Sequence, residues 1–361
     1  MRGGEDLSIF GSNSVLSLDF GSDRIKGVVG KHLKKGINVE KSFMLNLPEG
    51  LYQDGEITDI DQLTYLLRNI LSENGIGQLE TYGVINSTSI ILREVDLPTV
   101  VNEEIESIIS YQLDEYIPIN PEDYVVKYLS LGRIVKEGVD YSQILLIGIP
   151  RAMIQAHLTL FKNSNLKPTV LDYHGNAIAK LISEGGSINQ GYPNASVLAC
   201  VDLGYEFTNL TIIEDGKVKV ARVIEFGSKE ILDEIKNRMP FIGESEIAEK
   251  IKRLEDISIK PSLDNPDISF IEILRDNLYL LMDKIEMILR YYNTRDSENK
   301  IDLIILYGSF SQILGLDTMF NDYFEIETTK LLSLNKVKIN NELGLYANAT
   351  GALVRLKEVK K

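Results

Sequence analysis

One unit occurs twice in this chain and limits its possible folds more than any other feature: an apolar strand, an Asp-x-Gly turn, and a second strand. In the first copy SVLSLDF has the pattern of a buried strand, GSDR of a turn, IKGVVG of a second strand and INVEKSFMLNL of a third. From Ser196 the order recurs in SVLACVDLGYEFTNLTIIEDGKVKVARVIEFG. An internal duplication is the economical explanation, and it predicts two α/β lobes of matching topology. A chain of 361 residues with 44% hydrophobic residues is long enough to give each lobe its own core.

Helical spacing fills the intervals. Leu63, Leu66, Leu67, Ile70 and Leu71 form one apolar stripe in DIDQLTYLLRNILSENG, with aspartates at its start and Gly75 at its end. NEEIESIISYQLDEYI predicts a second helix, terminated by Pro118, with a stripe of Ile105, Ile108, Ile109, Leu113 and Ile117 that suits a small core better than a docking face. YVVKYLSLGRIV and YSQILLIGIP follow as paired strands, then RAMIQAHLTLFKNS as a helix. The stretch beyond the second copy is mainly helical until the buried strand IDLIILYG and a last helix near LGLYANATGALVRL.

The formal charge of −15 argues against nucleic acid or anionic lipid as a general partner. Cys200, the single cysteine, excludes an intramolecular disulfide and sits in an apolar run that suits a buried core residue. No stretch reaches the roughly 18 apolar residues of a membrane span, and the N-terminus lacks a signal peptide's apolar segment. Membrane association is therefore expected through a partner and not by insertion.

The chemistry-bearing residues cluster at the repeated turns. In Asp19-Phe20-Gly21-Ser22, with Lys26 on the next strand, glycine lets backbone N–H groups approach phosphate oxygens, and a carboxylate at the strand end suits a hydrated Mg²⁺. Asp202-Leu203-Gly204, followed by Thr208 and Thr211, repeats the pattern. A lone Asp-x-Gly after a strand is usually only a tight turn, but two in matching contexts favour a shared phosphate site. A third element, LIILYGSFSQILGL, ends a buried strand in Gly308 with Ser309 beside it and Gly315 further on, suited to passing backbone under a base or ribose. His174, in LDYHGNAIAKLI, is the histidine nearest this cleft, and a structural role is the better single-residue reading.

The order DFGxxxxK, DLGxxxT, then a strand ending in glycine resembles the phosphate-1, phosphate-2 and adenosine motifs of the actin, hexokinase and DnaK superfamily. The resemblance implies ATP and Mg as ligands. Asp19 and Asp202 would flank Mg through water, Gly21, Ser22, Gly204 and Thr208 would touch phosphates, and Lys26 would offset their charge. Gly308 and Ser309 would lie near the adenosine, although Gly308-Ser309-Phe310 departs from the usual triple glycine. EIAEKIKR is similar to an actin-like Ala-Glu-x-x-Lys pattern beside the ribose and nominates Glu249 and Lys252, against the alternative of a solvated helix face.

Within that superfamily, NLPEGLYQDGEITDIDQLTYLLRNIL and REVDLPTVVNEEIESIISYQLDEYIPI resemble runs of the PilM family. That likeness implies an actin-like ATPase fold, α/β, with two duplicated ribonuclease-H-like lobes around a nucleotide cleft. Its divisions would be a first core (1A, 1–85), an inserted subdomain (1C, 86–165), a connecting helix (166–190), a second core (2A, 195–230 and 299–338), a helical subdomain (2B, 231–298) and a C-terminal helix (339–361) returning to the first lobe. It also implies a cytoplasmic ATP-binding scaffold of type IV pilus assembly and twitching motility, held at the inner membrane face by an Ile-Asn-Leu-Leu-Pro-like N-terminal peptide of PilN in a 1A–1C groove. Pilus assembly ATPases and self-association are further implied contacts. The nucleotide would be a structural or switching ligand, since no Glu, Gln or His identifies itself as a hydrolytic base and only slow turnover is expected. Two rivals share the phosphate turns: a small-molecule kinase, for which Asp96 and Asp114 are the available bases, and an FtsA-like filament protein, for which LVRLKEVKK is too short and polar an anchor.

Overall fold

Period-two alternation in the first copy produces a meander of β1 (Val15–Phe20), β2 (Arg24–Leu33) and β3 (Gly36–Asn46), in a computed structural model that describes residues 13–98, 102–117, 120–136, 138–191, 196–295 and 299–355. A small hairpin, β4 (Tyr52–Gln53) and β5 (Glu56–Ile57), leads into α1 (Ile60–Glu73). Asp59 caps α1, its Oδ1 accepting from the backbone N–H groups of Asp61 and Gln62 at 3.0 and 2.9 Å. After α1 come β6 (Glu80–Ile85), β7 (Ile91–Pro98), α2 (Asn102–Tyr116), β8 (Tyr124–Lys136), β9 (Val139–Pro150), α3 (Arg151–Asn163), β10 (Lys167–Tyr173) and α4 (His174–Gly185).

The second copy gives β11 (Val197–Leu203), β12 (Thr208–Glu214) and β13 (Lys217–Ile224), followed by α5 (Ser228–Arg238), α6 (Glu244–Arg253) and the long α7 (Ile268–Arg295). The chain then makes β14 (Leu303–Tyr307), α8 (Leu316–Phe324), β15 (Thr328–Lys330), β16 (Val337–Lys338) and α9 (Ala347–Ala352). The first sheet has the order β10-β6-β1-β2-β3-β16 and the second β15-β14-β11-β12-β13. In both, the meander is antiparallel and the two strands beyond its first member run parallel to it. The duplication read from the sequence is thus a duplication of topology.

The two sheets alternate with helical layers. On the outer face of the first sheet, Leu63, Leu67 and Phe161 of α1 and α3 pack on Leu16, Leu18 and Ile25. Between the sheets, Ile178 and Leu181 of α4 and Ala349 near the C-terminus pack against Val28 on one side and Leu198, Cys200 and Ile213 on the other. Cys200 is fully buried there. On the far side, Ile231, Leu278, Met282 and Phe320 cover Val201 and Leu210. Each fully buried aliphatic side chain of this kind stabilises the fold by about 1.5–3 kcal/mol.

An inserted layer interrupts the first lobe between β6 and β10. Its sheet has the order β7-β9-β8 and is covered by α2, whose Ile105, Ile109, Leu113 and Ile117 are buried with Val95, Leu97, Ile144 and Leu146. Ile108 is partly buried against the same cluster, so the stripe is core. The expected range 86–165 ran on through α3, but α3 packs on α1 and β10 of the first sheet, so the inserted sheet closes with β9. Pro118, the expected terminator of α2, and residues 356–361 of the expected C-terminal helix lie outside the described residues, as does the N-terminal segment 1–12. Within the described part, α9 packs on α4 and returns to β1, β2 and β6.

Candidate functional site

The two Asp-x-Gly turns face one another at the ends of β1 and β11. In the first, Gly21 N–H donates to the Arg24 carbonyl at 3.0 Å; in the second, Gly204 N–H donates to the Phe207 carbonyl at 3.1 Å. Pairing register then fixes each aspartate's neighbour: Asp19 lies opposite Lys26, and Asp202 opposite Asn209. Asn209, and not Thr208, is therefore the counterpart of Lys26. Strand alternation puts Thr208, paired with Leu203, on the other face, where it is fully buried and its hydroxyl donates to the Phe226 carbonyl at 2.8 Å. The phosphate contact expected of Thr208 is not available to it.

His174, the first residue of α4, stands between the aspartates. Its Nε2 is 2.8 Å from Asp19 Oδ1 and its Nδ1 is 3.2 Å from Asp202 Oδ2. The Asn209 amide lies 3.3 Å from the same Nδ1, and Asn348 of α9 donates to Asp202 Oδ2 at 2.8 Å. Lys26 Nζ is 3.6 Å from Asp19 Oδ2. All of these side chains are buried. Burial by itself would push the Asp19 carboxyl up, but His174 and Lys26 outweigh it and hold the group below the usual carboxylate range. Burial likewise pulls the His174 imidazole down, and the charges and hydrogen bonds of Asp19 and Asp202 lift it to about 9. The sequence favours a structural role for His174, the histidine nearest the cleft, and does not single out Asn348, because their contacts depend on two helices that meet only between the folded lobes.

Gly21, Ser22, Lys26, Gly204 and Ser309 all line the space between the turns, together with Tyr52, Asp54 and Glu206. That space is only about 50 Å³, too small for a triphosphate. Ser22 Oγ donates to Glu206 Oε2 of the opposite turn at 2.5 Å, and the Asp54 backbone N–H approaches the same oxygen at 3.4 Å. Glu206 thus holds the phosphate end shut and places a negative charge where phosphate would sit. A Glu206→Gln protein is expected to bind a nucleoside triphosphate about tenfold more tightly, a gain of about 1.4 kcal/mol. Titration calorimetry of the variant and the wild type checks this; an equal or weaker affinity would exclude Glu206 as the closing contact.

A larger cavity of about 480 Å³ continues from the turns, sharing Asp23, Tyr205 and Ser309 with the smaller one. Leu232, Ile247, Ala248, Ile251 and Phe310 give it apolar walls, and Arg24, Lys236 and Glu244 supply polar atoms at its edge. An aromatic base and a sugar match that lining. The α6 residues facing it are Glu244, Ile247, Ala248 and Ile251; Glu249 and Lys252 lie roughly 150° and 90° around the helix from that face. Both are exposed, and Glu249 pairs with Arg253 at 3.3 Å. The expectation that they contact the nucleotide is corrected: the burial of Ile247 fixes the helix phase and turns them to solvent. Gly308 lies beneath the site, against Asp202, and does not line either cavity.

A family model described as Type IV pilus assembly protein PilM matches residues 17–349. The chain belongs to this family. Among solved structures, one titled PilM–PilN type IV pilus biogenesis complex is similar over 94% of this chain and 97% of its own, with a TM-score of 0.75 and 20% identity. The ethanolamine utilization protein EutJ from Carboxydothermus hydrogenoformans is similar over 95% and 90%, with a TM-score of 0.57 and 13% identity. MreB5 of Spiroplasma citri bound to ADP covers 94% and 95%, with a TM-score of 0.52 and 14% identity. These likenesses establish the fold, which is the actin-like ATPase fold with duplicated lobes around a cleft.

Proposed function

We propose that this PilM-family protein is a nucleotide-binding scaffold of the type IV pilus assembly machinery, and that it binds the N-terminal cytoplasmic peptide of PilN. The observation that carries the reading is the near-complete structural overlap with the PilM–PilN complex, 94% of this chain at a TM-score of 0.75. Adenine nucleotide is the proposed ligand of the cleft. The apolar-walled cavity beside two glycine turns supports it, as does the ADP bound to the MreB5 relative. Asp19 and Asp202 are already engaged by protein donors, so this reading gives Mg no side-chain ligand.

The peptide's proposed seat is the junction of the inserted layer with the first lobe. A hollow of about 390 Å³ lies there between β8 and α3, lined by Val125, Arg151, Ala152, Ile154 and Gln155. Because β8 is an edge strand of its sheet, an extended apolar peptide can use both backbone pairing and side-chain pockets. Arg295 at the end of α7 pairs with Glu94 of β7 at 2.7 Å and ties the second lobe to this inserted layer. Nucleotide entering between the lobes changes their angle and is transmitted to the peptide seat through that contact. Membrane attachment then comes through PilN; among the described residues no helix is long and apolar enough to cross a membrane.

The kinase rival loses one of its two candidate bases. Asp96 lies on β7, paired with Lys136, and does not line the cleft, while the Asp114 side chain is outside the described residues. Titration calorimetry with a synthetic PilN N-terminal peptide, with and without ATP, tests the scaffold reading. Micromolar affinity is expected, changed several-fold by nucleotide. Absence of peptide binding in both states would refute it.

A further inference from the structure

Between the lobes, protein side chains already fill the positions a divalent ion would need. Asp19 directs Oδ1 to His174 Nε2 at 2.8 Å and Oδ2 towards Lys26 Nζ at 3.6 Å. Asp202 directs Oδ2 to Asn348 at 2.8 Å and to His174 Nδ1 at 3.2 Å, while its Oδ1 lies so close over Gly308 that a Cβ there would be 2.3 Å away. Each ring nitrogen of His174 therefore faces a carboxylate oxygen, and Nδ1 also faces the Asn209 amide nitrogen at 3.3 Å. A divalent ion ligated directly by both carboxylates would have to displace the ring, since Mg²⁺ takes oxygen ligands at about 2.0–2.1 Å in near-octahedral array. Among the described residues no group of three or more His, Cys, Asp or Glu side chains is arranged to hold a metal.

We propose that Asp19 and Asp202 do not ligate a divalent metal, their oxygens being engaged by His174, Lys26 and Asn348, so that nucleotide phosphate is held between the turns without a metal on these carboxylates. The proposal rests on the nucleotide reading of the cleft. Asp19 and Asp202 then serve to hold His174 and Lys26 in place, and Lys26, which lines the phosphate space, presents a positive charge to it.

Two arms test it on the full chain. In the first, calorimetry measures ATP affinity of the wild type in Mg²⁺ and in EDTA; the two values are expected to agree within about threefold, and a loss of tenfold or more in EDTA would overturn the proposal. The second arm omits nucleotide and follows melting temperature on addition of Mn²⁺ or Mg²⁺. The wild type is expected not to respond, whereas His174→Ala, which removes the ring between the two carboxylates, gains a rise with metal; His174→Gln serves the same purpose if the alanine protein does not fold. A wild type stabilised by millimolar metal as strongly as the variant would overturn the proposal. Failure of ATP to bind in either buffer counts against the nucleotide reading alone, and the metal arm then decides.

Discussion

An Asp19→Asn protein is expected to lose about 3–5 kcal/mol of folding stability, the usual result of removing one partner from a buried ion network. Asparagine keeps the shape of the side chain and one acceptor for His174, so the loss would not come from packing. It would come from charge. Asp19 is the anion that both Lys26 and His174 face, at 3.6 and 2.8 Å, and without it two buried cations share Asp202 alone. One of them must lose its proton or recruit water into a closed region, and either response costs free energy.

The diagnostic version of this experiment is the double variant. Replacing His174 with Gln removes the surplus cation, so Asp19→Asn together with His174→Gln is expected to be more stable than the sum of the single changes predicts, with a coupling of about 1–3 kcal/mol. Urea denaturation at constant m-value measures all three proteins. Additive losses would mean that the imidazole and the carboxylate do not share charge, and the central contact of the cleft would have to be discarded. In the wild type Lys26 is held above the usual lysine range, burial being outweighed by Asp19 and Asp202.

The fold was legible because duplication is a statement about order, and order survives without knowledge of tertiary contacts. Asp19 and Asp202 could be placed at equivalent strand ends from pattern alone, and both sheets repeat that placement. What the pattern contained but a motif match passed over was spacing: Lys26 and Asn209 each follow their aspartate by seven positions, the offset that pairs them across the turn. Counting along the strands would have preferred Asn209 to Thr208. Glu249 and Lys252 failed for a different reason, since a helix of ten residues can turn either face to a cleft and only the packing of Ile247 under α6 chooses. The Ser22–Glu206 bond and the His174 bridge join residues 184 and 155 positions apart, and no local signal encodes such contacts. They exist only once distant elements have folded together, and the Ser22–Glu206 bond, which joins the two turns, is the one a nucleotide must rearrange.

Gly308→Val is expected to cost about 2–6 kcal/mol. The residue ends β14 with φ of +90°, a conformation in which a branched side chain is strained by roughly 1–3 kcal/mol. A Cβ would also lie 2.3 Å from Asp202 Oδ1 and 2.8 Å from the Leu203 carbonyl oxygen. Neither is the free end of a flexible chain: Asp202 is fixed by Asn348 and His174, and Leu203 belongs to β11. Overpacking of this kind adds roughly another 1–3 kcal/mol. The neighbouring Ser309, which faces both cavities, provides the control, because Ser309→Ala removes a hydroxyl that has no hydrogen-bond partner among the described residues and should leave stability within about 0.5 kcal/mol of wild type. Denaturation curves for the pair separate the two functions of this turn. A Gly308→Val protein as stable as wild type would mean that β14 does not pass under Asp202, whereas a large loss there with an unchanged Ser309→Ala protein identifies close backbone approach as the reason for glycine at this position.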